Sequence, residues 1–191
     1  MKRCLCLLFV VLLLVTGCSA DPGGAMVARA KKEKDLLTKA ALEMRAFGLE
    51  RTYVALEVPE PEETAETVAE IPTAERLVRY FKQSDERVEV DSPVLEQALR
   101  DFGFALILFQ TASDGRESVI FSTGKETETG PLRGLAYSFD GEAVAWWGRA
   151  ARLTKHKGRY VEINPKGDAW YFTVSLGDGL WYWEKNGSLL G

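Results

Sequence analysis

The sequence predicts an α+β domain, with N-terminal helices packed on an antiparallel β-meander of about seven strands in the C-terminal half. Three observations predict it. Before residue 103, apolar residues recur at three- and four-residue spacing, the period of a helix face. From Phe104 onward the runs are short and alternate, the period of a strand. Asp114-Gly115, Asp140-Gly141 and Asp178-Gly179 separate those runs, and Asp-Gly suits a two-residue hairpin turn because both positions tolerate positive φ. The expected domain is 31–191, its helical part about 31–102 and its β part about 103–191.

The first element is a targeting segment. Lys2 and Arg3 precede an apolar run from Leu5 to Val15, and small residues lead to Cys18. A positive start, a short apolar core and a small-residue exit make a secretory signal peptide. The run falls short of the ~20 residues that span a bilayer. Val15-Thr16-Gly17-Cys18 resembles the lipobox of bacterial lipoproteins, and the resemblance covers residues 1–18 only. It implies that 1–17 are removed and that Cys18 becomes the first mature residue, with a thioether lipid and an N-acyl chain such as palmitate. Two or more chains anchor a protein stably, whereas one does so only marginally. The implied partner is therefore a membrane, and the implied location is the bacterial cell envelope. Ser19 follows the cysteine, which by the sorting rule of enteric lipoproteins points to the outer membrane, facing the periplasm, in a Gram-negative cell.

Cys4 and Cys6 leave with the signal peptide, so Cys18 is the one cysteine of the mature chain. An internal disulfide or a cysteine metal site is excluded by that count. Without Lys2 and Arg3 the chain has 22 basic and 28 acidic side chains, a net charge of −6. That balance argues against a nucleic-acid partner.

Residues 18–30, with Asp21-Pro-Gly-Gly24, read as a lipidated flexible tether. A helix is expected from about Lys31, with Leu37, Ala40, Ala41, Met44 and Phe47 on its face and Gly48 as its left-handed stop. Arg51 to Val58 alternates and reads as a strand. Pro59 to Glu70 is acidic, opens with two prolines in three residues and reads as a solvated loop. Thr73 is a candidate cap for a short helix carrying Leu77, Tyr80 and Phe81. Ser92-Pro93 opens a further helix that Gly103 ends.

In the β half, Phe104 to Phe109 is apolar on both faces and reads as a central strand. A hairpin at Asp140-Gly141 would set Leu135, Tyr137, Val144 and Trp146 on one face and turn Trp147 outward. A two-residue turn at Asp178-Gly179 would place Trp170, Phe172, Val174, Leu176, Trp181 and Trp183 on one apolar face. A three-residue turn would instead set Trp181 beside Ser175. Across Asn164-Pro165, Val161 is expected opposite Tyr171 and Ile163 opposite Ala169.

Catalytic patterns are sparse. His156 is the one histidine and stands among cations, which disfavour its imidazolium. Ser122-Thr-Gly-Lys125 fits S-x-x-K but leaves a strand rather than opening a helix. Glu126, Glu128, Asp140 and Glu142 fall in loops or turns, where solvated acids are the default. No cofactor is implied. The sequence points to a lipid-anchored envelope protein, more a binder than an enzyme, that engages a partner protein or assists envelope assembly. Arg149, Arg152, Lys155, Lys157 and Arg159 form a basic run without acids, suited to an acidic partner or anionic head groups. A glycan- or peptidoglycan-binding module using Trp147, Tyr171 and Tyr182 as exposed rings is the alternative from another class. A hydrolase using carboxylate acid-base chemistry is the third.

Overall fold

The computed structural model describes residues 22–48, 51–58, 75–81, 86–112, 114–124, 132–144, 153–156, 158–163 and 169–185. Among the described residues there are three helices: α1 (Pro22–Lys32), α2 (Lys34–Ala46) and α3 (Pro93–Phe102). The strands are β1 (Thr52–Glu57), β2 (Arg76–Phe81), β3 (Val88–Glu89), β4 (Leu106–Thr111), β5 (Glu117–Ser122), β6 (Leu132–Ser138), β7 (Thr154–His156), β8 (Arg159–Ile163), β9 (Ala169–Gly177) and β10 (Leu180–Lys185). They form one antiparallel sheet in the order β3-β2-β1-β4-β5-β6-β10-β9-β8-β7.

This corrects the expected layout of helices on a C-terminal meander of about seven strands. The described molecule is mostly a ten-stranded sheet with three short helices, and β1 to β3 come from the half read as helical. The strands after Gly103 do not form a meander either, because β6 pairs with β10 and not with β7. The stretch expected as a helix after Thr73 is strand β2. Its Leu77, Tyr80 and Phe81 fit a helical spacing, but the six residues of β2 pair one for one with β1, and those ladder bonds outweigh a weak local signal. The segment read as tether is helical from Pro22. Gly23 is buried there, against Tyr182 and Glu184.

Other elements follow from their residues. In α2, Leu37, Ala40, Ala41 and Met44 are buried, and Gly48 ends the helix at φ 68°. Ser92 caps α3 by accepting from the Leu95 amide at 3.1 Å, Pro93 takes the first turn, and Gly103 closes it at φ 64°. β4 lies between β1 and β5 with both faces buried.

Both faces of the sheet are cores. On one, the row Val54, Ile107, Phe121, Leu135, Tyr182, Val174 crosses six strands and packs with Leu37, Met44, Leu95 and Leu99 of the helices. On the other, Tyr80, Tyr53, Leu108, Ile120, Ala136 and Trp181 share a row. Leu106, Val144, Tyr171 and Trp183 join them in a cluster that contains no helix residue.

The register moves the tryptophans between these faces. Asp178 and Gly179 turn with φ 50° and 78°, as a two-residue turn requires. Gly177 then pairs with Leu180, and the ladder skips Leu176, so Trp181 faces Ser175 and Trp183 faces Thr173. Trp181 and Trp183 are buried but lie opposite Phe172, Val174 and Leu176, not beside them. A similar shift sets Tyr171 opposite Glu162, while Ile163 does face Ala169. Asp140-Gly141 makes no hairpin: residues 141–144 are not strand, and Val144 packs on the face away from Leu135. Trp146 and Trp147 lie outside the described residues.

Candidate functional site

Cys18 lies outside the described residues, and so do Trp147, Arg149, Arg152 and Lys157. Of the basic run, Lys155 and Arg159 are described, and both are exposed. Lys155 sits on β7, the last strand of the sheet, opposite Tyr160 of β8. Arg159 lies 5.1 Å from the ring centre of Phe172, a cation–π distance. His156 pairs through its backbone with Arg159.

The two tyrosines proposed as exposed rings are buried. Tyr171 is 1% exposed and donates its hydroxyl proton to the Val144 carbonyl at 2.8 Å. Burial pushes its phenol pKa far up, with the Glu162 charge adding to it and a Thr173 hydrogen bond opposing. Tyr182 is 5% exposed and donates to the Glu184 carboxylate beneath α1. Neither can stack on a glycan. Tyr171 belongs to the core on one face of the sheet and Tyr182 to the core on the other, so neither face leaves its ring in water.

Ser122 is also buried. Its hydroxyl donates to the Gly124 carbonyl at 2.7 Å and closes a local turn at the end of β5. Glu126 and Glu128 lie outside the described residues, while Asp140 and Glu142 line one small cavity together with Glu117. Asp140 accepts from Ser138 at 2.6 Å and from the Glu142 amide at 2.9 Å. Burial would raise its pKa, but these hydrogen bonds and the Arg116 charge outweigh it and hold the carboxyl below its usual value. The cavity beside it, lined by Gln110, Ser118 and Ser138 among others, measures about 20 Å³, room for a single water. Among the described residues, no three His, Cys, Asp or Glu side chains are grouped to hold a metal, and no helix is long and apolar enough to cross a membrane.

Two features escaped the sequence reading. The first is an open groove of about 460 Å³ lined by Ala25, Met26, Arg29, Asp101, Phe102, Thr123 and Arg133. It lies between α1, the end of α3 and the β5–β6 strands. Arg29 bonds Glu33 at 3.1 Å, approaches Asp101 at 3.5 Å and lies over the Phe102 ring. The sequence hid this groove because Gly23 and Gly24 made α1 look like a tether. The second is a buried polar row across three strands, Glu162, Tyr171 and Lys185. Burial lowers the Lys185 pKa. A strand pairing one residue out of register conceals such a row from sequence. Compared with family models, curated proteins and solved structures, the chain matches none.

Proposed function

We propose that this is a lipid-anchored bacterial cell-envelope protein that binds an acidic partner protein through the basic edge of its sheet. The observation that carries the anchor is Val15-Thr16-Gly17-Cys18 behind a charged start and a short apolar run. In a Gram-negative cell the site of action is the outer membrane, facing the periplasm. The binding surface is supported by position: β7 ends the sheet, and Lys155 and Arg159 are exposed on and beside it. Arg149, Arg152 and Lys157 add charge in the same stretch of sequence. The glycan-binding alternative loses Tyr171 and Tyr182 to burial.

The anchor is tested by growth with labelled palmitate. Label in the wild type that disappears in Cys18→Ser supports it; label in neither contradicts it. The partner surface is tested by crosslinking in membranes, comparing wild type with a variant neutral at Arg152, Lys155, Lys157 and Arg159. A defined acidic protein captured by the wild type and lost in the variant supports the reading. Equal capture by both removes the basic run from it.

A further inference from the structure

The distance between the anchor and the folded domain fixes which end of the sheet meets the membrane. Helix α1 starts at Pro22, four residues beyond Cys18. Four extended residues reach about 14 Å at most. The helix is docked from its first turn: Gly23 is buried, and a Cβ there would meet the Tyr182 ring and, at 3.2 Å, the Glu184 carboxylate. Ala30, two turns on, is fully buried.

The docking also defines direction. Gly23 rests near Glu184, which pairs with Arg133 at the start of β6. Ser122 at the end of β5 and Leu106 at the start of β4 share this end of the sheet. Beyond the other end of α1, Lys34 at the start of α2 forms an ion pair with Asp178 in the β9–β10 turn. Ser138, Gly179 and Glu117 mark that far end. A six-residue strand separates the two ends by roughly 20 Å.

We propose that the sheet end carrying Gly23, Glu184, Arg133 and the Ala25–Met26–Phe102 groove lies against the phospholipid head groups of the leaflet that holds the Cys18 lipid. This rests on the anchor reading above. Chain length holds the end there, not attraction to anionic lipid. β1 ends and β2 begins at the same end, and the stretch between them contains Glu60, Glu62, Glu63, Glu66 and Glu70. The orientation should therefore survive high salt, which screens exposed charges beyond a few ångströms.

The test uses the mature lipidated protein in vesicles of phosphatidylethanolamine and phosphatidylglycerol containing a head-group nitroxide lipid. Maleimide fluorophores are placed at Ala25→Cys and, separately, at Glu142→Cys, both exposed positions. A thioether at Cys18 does not react with maleimide, so each label is unique. The expected result is several-fold stronger quenching at position 25 than at 142, at low and at high salt. Equal quenching, or stronger quenching at 142, overturns the orientation. A difference that vanishes in high salt overturns the chain-length mechanism. Palmitate labelling of the same samples separates the two readings: a labelled protein with equal quenching fails only the orientation, while an unlabelled one fails the anchor and the orientation with it.

Discussion

Gly134 carries no side chain because its two neighbours leave no room for one. It faces Trp183 across β6 and β10. A Cβ there would collide with the Phe121 carbonyl and come within 2.8 Å of the indole Cζ2. The indole instead covers the glycine and donates from Nε1 to the Leu135 carbonyl at 3.0 Å. Gly134→Ala should cost about 2–3 kcal/mol, since backbone cannot yield as a side chain can. Denaturant unfolding monitored by tryptophan fluorescence reads both the lower midpoint and a red shift of the buried indole. Ser92→Ala removes the cap of α3 and a bond to Glu43, and about 1 kcal/mol of stability should go with it.

Tyr171 makes stability depend on alkaline pH. Its folded pKa lies well above the ordinary 10, so as pH rises past 10 the unfolded chain releases the phenol proton and the folded chain keeps it. The native state then binds more protons and stability falls. Lys185 acts oppositely: its lowered folded pKa means the unfolded chain binds more protons below 10.5, so its contribution rises with pH in that window. Comparing wild type with Tyr171→Phe at matched pH cancels Lys185. At neutral pH the variant should lose about 1–2 kcal/mol with the Val144 bond. Above pH 10 its stability should decline less steeply than that of the wild type; parallel slopes in urea-unfolding curves would contradict this.

At the scale of elements, local rules located α3 from Ser92, Pro93 and Gly103, and they located β1 and β4. They failed where partners decide. β2 carries Leu77, Tyr80 and Phe81 at a spacing either structure accepts, and only β1 selects the strand. The β9–β10 turn residues were legible, but the skipped Leu176 was not, and one residue of slip put Trp181 and Trp183 on the other face. Of the candidate site, the basic character of Lys155 and Arg159 was legible, and the burial of Tyr171 and Tyr182 was not. The hairpin tip also docks: Gly179 accepts from the Ser138 amide at 2.7 Å, and a Cβ on it would stand 2.6 Å from the Ser138 carbonyl at φ 78°. Gly179→Ala combines that clash with a disfavoured backbone and should cost about 1–3 kcal/mol. Thermal unfolding followed by circular dichroism would reveal it.

At the scale of the molecule, sheet order was the least legible property. β1 lies between β2 and β4, and β6 meets β10 across more than forty residues of chain. Such long-range choices follow from which faces fill both cores, and no local pattern records them. If the short link to α1 sets orientation, lengthening it should release the domain. A Gly-Ser insert of about twelve residues between Ala20 and Pro22 should reduce nitroxide quenching at Ala25 toward the value at Glu142, because a flexible chain of that length reaches farther from the bilayer.

Among the described residues the two margins of the sheet are its shortest strands, two residues in β3 and three in β7. Unpaired ladder groups on long, flat margins recruit other chains. A protein tethered to a surface by lipid meets its copies in two dimensions, at local densities far above those of free diffusion. Margins this brief offer a neighbouring copy too few backbone bonds to begin stacking. If Cys18 carries the proposed lipid, the anchored protein should therefore stay dispersed at coverages where a sheet of equal width with full-length outer strands would grow into fibrils.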